Sequence, residues 1–200
     1  MSIVIPNYRV VNQSAPRPVL FSGNQEGSLG GPSLAIPRMG DRFALDVQTG
    51  QLRNDASGLA LVAALTQATT FDALFSFLQP NLPNPPAIGG AVVDGAGQSG
   101  SRLVIRGANS GAVVAAGRFF SIVHGGRRYV HMVAAASPIG SDGRATISIW
   151  PMLRFRTTDA DVVEFDEPKI EGQLIGFEAK GAIFQGVRTN PLGFTIQERA

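Results

Sequence analysis

From Ala91 onward the chain repeats one pattern, a short apolar run followed by a turn rich in glycine. The runs are Arg102–Arg106, Phe119–Val123, Arg128–Ala134, Arg144–Pro151, Asp161–Phe165, Leu174–Ala179 and Phe194–Glu198. They are enriched in β-branched and aromatic residues and too short for helices, so each is predicted to be a strand. Gly125-Gly126 is a good two-residue hairpin turn, and Gly140-Ser141-Asp142-Gly143 divides two further runs. Twenty-four glycines and 13 prolines spread through 200 residues argue against a helix bundle, while an apolar fraction of 44% suffices for a real core. The expectation is a mainly β protein, a β-sandwich or barrel-like domain with one substantial α-helix.

That helix is predicted within Asp55–Thr69. Asn54 or Asp55 can cap it, and Leu61, Ala64, Leu65 and Ala68 recur at helical spacing. Thr70–Leu78 fits two readings: Phe71, Ala73, Phe75 and Phe77 alternate as in a strand, while Leu74 and Leu78 also suit a helix. Pro80, Pro83, Pro85 and Pro86 then stop any regular element. Upstream, Ser2–Val11 reads as a strand interrupted at Pro6, and Arg42–Val47 as a half-buried strand. Ser14–Pro37, rich in Gly, Pro and Ser, is expected as a long loop or arm. Residues 1–39 thus read as an N-terminal strand with an extended arm, and residues 40–200 as the β-rich domain.

Gly95, Gly97 and Gly100 have G-x-G-x-x-G spacing, which in a nucleotide site lets the backbone approach a pyrophosphate at a helix N-terminus. Here the loop leads into Ser101–Gly107, a strand-like run, and Leu103 to Tyr129 contains no Asp or Glu for a ribose. A turn between strands is the better reading. His124 and His131 lack nearby metal-ligating partners in sequence and read as surface or cross-strand residues. The acidic run Asp159, Asp161, Glu164, Asp166 and Glu167 lacks the order of a calcium loop and reads as a solvated face, meeting Arg154 and Arg156. No nucleophile elbow is present, and the absence of cysteine excludes thiolate chemistry and disulfides. No catalytic, cofactor-binding or metal-binding residue stands out, so the chain is expected not to be an enzyme.

The charge balance is mild, 17 basic against 15 acidic residues, and fifteen of the basic residues are Arg. Arginine suits multidentate contacts at interfaces, although coding bias gives the same composition. The basic residues are scattered without aromatic interleaving, which is not a nucleic-acid footprint. There is no 18-residue apolar run and no signal-peptide pattern at the start, so membrane anchoring is not expected and synthesis in the cytoplasm is.

Between Gly40 and Arg154 the order of short motifs resembles the distal tail proteins of long-tailed phages and prophages. The pieces are Gly40-Asp-Arg-Phe-Ala-Leu-Asp-Val47, Leu52-Arg-Asn-Asp-Ala56, Val93-Asp-Gly-Ala-Gly-Gln-Ser-Gly-Ser-Arg-Leu103 and Ala116-Gly-Arg-Phe-Phe120. Gly125-Gly-Arg-Arg-Tyr-Val130, Ser141-Asp-Gly-Arg-Ala-Thr146 and Ile149-Trp-Pro-Met-Leu-Arg154 complete the series. Arg118 departs from the acidic residue usual at its position, and the Ser14–Pro37 arm is longer than the family pattern. The resemblance implies a structural virion protein of a siphophage tail tip. Such a protein forms a ring, hexameric in this family, between the tail tube and the hub or receptor-binding proteins, with genomic DNA passing through its channel. The alternatives are another tail-tube or baseplate component, or a carbohydrate-binding β-sandwich module using Tyr8, Tyr129 or Trp150.

Overall fold

The computed structural model describes residues 2–79, 86–177 and 181–199. They form two β bodies with separate cores, joined along one shared wall. The first is a seven-stranded sheet of β1 (Ser2–Val4), β2 (Val10–Gln13), β3 (Arg17–Val19), β6 (Arg42–Thr49), β8 (Asp72–Ser76), β17 (Lys169–Ile175) and β20 (Gly193–Glu198). Its order is β1-β8-β17-β20-β6-β2, with β3 also paired to β6. Only β1 and β8 run parallel.

This sheet is rolled, because β1 and β2 lie on opposite edges yet are separated by only a few residues. Five inter-strand gaps span about 24 Å in a flat sheet, more than the roughly 22 Å of a taut chain from Val4 to Val10. The connection is not taut, since Tyr8 N–H folds back to Pro6 O at 2.9 Å. Gln13 closes the seam with its side chain. Its amide donates to Leu78 O at 3.1 Å and accepts from Leu78 N–H at 3.2 Å, standing in for a missing strand pair. The predicted opening strand is therefore two strands, and the break at Pro6 carries the chain across the sheet.

α1 (Ala56–Ala68) packs Leu61, Leu65 and Ala68 into the core of this rolled sheet. Asp55 caps it by accepting from Gly58 N–H at 2.9 Å. Gly58 backs so closely on the preceding strand that a Cβ there would lie 2.0 Å from Arg53 O. The ambiguous Thr70–Leu78 segment is the strand β8, whose alternation buries Ala73 and Phe75.

The second body is a closed six-stranded barrel of β9 (Val92–Val93), β10 (Gly100–Arg106), β12 (Phe119–His124), β13 (Arg127–Ala135), β15 (Ala145–Leu153) and β16 (Val162–Glu164). Closure in the order β10-β15-β13-β12-β16-β9 leaves it without an open edge. β12, β13 and β15 form the shared wall, and the two-residue period of a strand serves both cores at once. Phe119, Val130 and Trp150 turn toward the rolled sheet, while Phe120, Val133 and Ile149 fill the barrel. Where the two cores meet, consecutive residues are buried on both faces, as Phe119–Ile122 and Val130–His131 show.

Three smaller pairings complete the fold. β11 (Val113–Val114) pairs β14 (Ser137–Pro138), and β7 (Leu52–Arg53), β19 (Arg188–Thr189) and β18 (Phe184–Gln185) form a three-stranded ribbon. β4 (Gly23–Gln25) and β5 (Leu34–Ile36) form an isolated hairpin around a single 3-10 turn at Ser28–Gly30. The Ser14–Pro37 segment is therefore not a structureless loop: its first part is an edge strand and its second a two-stranded ribbon. Its strands, three residues each, are too short to show as periodicity. The predicted run Leu174–Ala179 is displaced, since β17 spans Lys169–Ile175 and buries Glu171 and Gly172 mid-strand. Ala179 and Pro80, Pro83 and Pro85 lie outside the described residues.

Candidate assembly site

The glycine loop is fully engaged by its own protein. Gly95, Gly97 and Gly100 all adopt positive φ (91°, 79° and 80°). Gly95 N–H donates to Asp159 Oδ1 at 2.8 Å, and Gly97 N–H to Thr157 O at 2.7 Å. The Gln98 amide fills the loop, donating to Asp94 O (2.9 Å) and Val104 O (3.1 Å) and accepting from Val104 N–H (2.7 Å). The loop leads into β10 rather than a helix, so neither the free donors nor the helix dipole of a phosphate site is present there.

Four residues of the acidic run are paired rather than merely solvated, and by other cations than expected, while the exposed Glu167 accepts the Ser76 hydroxyl at 3.0 Å. Arg106 grips Asp159 with two bonds at 2.6 and 3.0 Å. This fork and the Gly95 N–H hold the Asp159 carboxyl down at about 2. Asp161 bonds His124 at 2.8 Å, and Glu164 receives Arg128 and Lys169 at 3.1 and 3.2 Å. Asp166 pairs with Arg118 at 2.8 Å. Arg154, expected at this face, lies instead against Glu198 at 2.7 Å, and Arg156 is exposed without an ion pair among the described residues.

The two histidines part company. His124 is partly exposed and stacks on Phe155 at 4.4 Å. His131 is fully buried, opposite Phe120 across the β12–β13 pair, so it is cross-strand but not a surface residue. Its Nδ1 lies 2.9 Å from Pro151 O, and burial pushes it down to about 3, leaving it a neutral ring. Among the described residues no three metal-ligating side chains gather. Tyr8, Tyr129 and Trp150 are each partly buried; Trp150 packs edge-on against Phe43 at 5.1 Å and Tyr129 lies under Arg154. They form no common exposed platform.

Buried carboxylates weld the two bodies. Glu198 of β20 accepts Val130 N–H of the barrel (2.7 Å) with one oxygen and Phe43 N–H of β6 (2.8 Å) with the other. Glu171 of β17 accepts Arg128 N–H at 2.9 Å and bonds the Ser2 hydroxyl. Both cap the half of β13 that β15 does not cover. Gln79 does the same at Phe119, accepting its N–H at 3.0 Å. None of these roles is signalled in the sequence, since each polar side chain sits in an ordinary strand or loop and its partner is remote.

The β4–β5 ribbon is fixed at its root and unpartnered at its tip. Asp41, itself buried, accepts Phe21 N–H (2.7 Å), Ser22 N–H (2.8 Å) and the Ser22 hydroxyl (2.6 Å). Burial works against its charge, but these hydrogen bonds outweigh it and lower its pKa. Arg42 lies over the Phe21 ring at 4.7 Å. Leu20 and Met39 are exposed beside this clamp and Leu29 and Leu34 on the hairpin beyond it, and an open groove of about 450 Å³ runs between the ribbon and Trp150. An isolated two-stranded hairpin is at best marginally stable in water, so the Asp41 clamp is the main constraint on the ribbon among the described residues.

No protein-family model and no curated protein matches this chain. No helix among the described residues is long and apolar enough to cross a membrane.

Proposed function

We propose that the chain is a structural subunit of a phage tail tip, a ring-forming protein of the distal tail type. In this reading several copies, six by the family resemblance, join the tail tube to the hub and receptor-binding proteins, and genomic DNA passes through the channel. The observation that carries the reading is the clamped ribbon: a root held at Asp41, with Leu20 and Met39 exposed beside it, carrying a hairpin whose Leu29 and Leu34 are exposed outside both cores. Assembly geometry is then the whole mechanism. A rigid two-body β scaffold sets the angle between neighbours, and head-to-tail contacts close by rotation. No catalytic step is assigned to any residue, and the place of action is the virion.

The test is the mass of the purified protein by light scattering, with electron microscopy of tail tips carrying a label on this chain. A closed ring at the end of the tail tube is the expected result. Tails without the protein, or carrying it as dispersed single copies, would sink the reading.

A further inference from the structure

A cluster of cations lies at the end of β6 opposite the ribbon root. Arg53 and Arg188 are direct partners across the β7–β19 pair, an arrangement in which like charges repel. Arg9 joins them: it donates to Gln51 O at 3.0 Å, while Arg188 donates to Gln51 Oε1 at 2.7 Å. All three are exposed, and none has an ion-pair partner among the described residues. The nearby carboxylate, Asp55, caps α1, accepts the Tyr8 hydroxyl and offsets part of the Arg53 charge, leaving Arg9 and Arg188 as the larger excess. Arg9 holds a positive φ of 51°, an uncommon state for a non-glycine residue that recurs where function requires it. Val187 and Phe184, both exposed, flank the cluster on the same ribbon.

The arm tip offers the complement. Glu26 is the only acidic residue before Asp41, and it is exposed beside the fully exposed Leu29. The ribbon root adjoins Arg42 at one end of β6, whereas the arginine cluster adjoins Thr49 at the other, about 24 Å away along the strand. A tip and a socket at opposite ends of one strand make a head-to-tail contact, the kind that closes a ring.

We propose that the arm tip of one copy docks on the arginine cluster of the next, Glu26 on Arg9, Arg53 and Arg188, and Leu29 on Val187 and Phe184. This rests on the ring reading above and gives it a specific contact. Burying the tip there neutralises the repulsion between Arg53 and Arg188 and covers apolar surface on both sides.

The chain has no cysteine, which makes cross-linking clean. A chain carrying Leu29→Cys together with Val187→Cys is oxidised and run without reductant, after the mass of the wild type has been measured alone and in tail particles. A covalent ladder extending beyond dimers, with each single variant giving dimers at most, is the expected result. Glu26→Arg should weaken association about tenfold, and adding Arg53→Glu should restore it. If the double-cysteine chain assembles like the wild type but yields only monomers or internally linked chains, the docking is overturned and the ring stands. If the wild type is single copies both alone and in tails, both readings fall.

Discussion

The Glu198 carboxylate and the Arg154 guanidinium meet at 2.7 Å inside the junction of the two bodies, with side-chain exposures of only 2% and 6%. The same carboxylate takes the Phe43 and Val130 amides, so one side chain ties β20, β6 and β13 together. Removing it strands a buried cation and two buried donors. Glu198→Ala is expected to cost about 3–5 kcal/mol, measured by denaturant unfolding. Burial raises the pKa of this carboxyl despite Arg154 and the two amides. Its contribution is therefore most favourable below the usual carboxylate range and is lost as pH rises through the raised value. Glu198→Gln should remove that pH dependence and cost less than Ala. Equal pH profiles for wild type and Gln variant would refute the assignment.

His131 works in the opposite direction. Its folded value of about 3 lies below the ordinary 6.5, so the unfolded chain takes up a proton that the folded chain refuses. Stability should fall as pH drops from about 6.5 toward 3, and His131→Phe should flatten that limb. Proton NMR of the imidazole should show a neutral ring at pH 5; a charged ring would contradict the burial.

Asp41 is the clamp of the ribbon. Asp41→Ala removes the acceptor of the part-buried Phe21 and Ser22 amides, a loss of about 1 kcal/mol per hydrogen bond, since water can reach the freed donors. Amide exchange in residues 21–38 should accelerate while exchange in the barrel strands stays unchanged. Uniform acceleration would mean that the whole fold, not the arm, depends on it.

Deleting all of Ser14–Pro37 would strip β3 from β6, because Arg17–Val19 pairs with Arg42–Ala44. The informative deletion replaces residues 24–35 with a short flexible turn. Circular dichroism should remain β-rich and unchanged, while ring formation or docking to the tail is lost. Unimpaired assembly would remove the ribbon from the mechanism.

The glycine loop is expected not to bind nucleotides. Calorimetric titration with NAD or ATP should give no heat of binding. Tight binding that disappears in Gly97→Val would show that the loop serves a phosphate after all.

The sequence by itself determined the class of the fold. Short apolar runs between glycine turns can bury themselves only as strands, and one capped stretch with helical spacing can only be α1, so both were legible locally. It also marked Gly95, Gly97 and Gly100 as a connection, because the run after them has strand chemistry. Tertiary structure alone decided how the strands divide between a rolled sheet and a closed barrel, since both use the same two-residue alternation. It also decided which polar residues matter. Glu198 bonds a backbone amide 155 residues away at Phe43, and Arg53 faces Arg188 across a strand pair. Such partners carry no local signature, because a carboxylate or guanidinium in an isolated strand looks solvated. Its low-dielectric surroundings, and the set of donors it must satisfy, arise only when chain segments remote in sequence pack together.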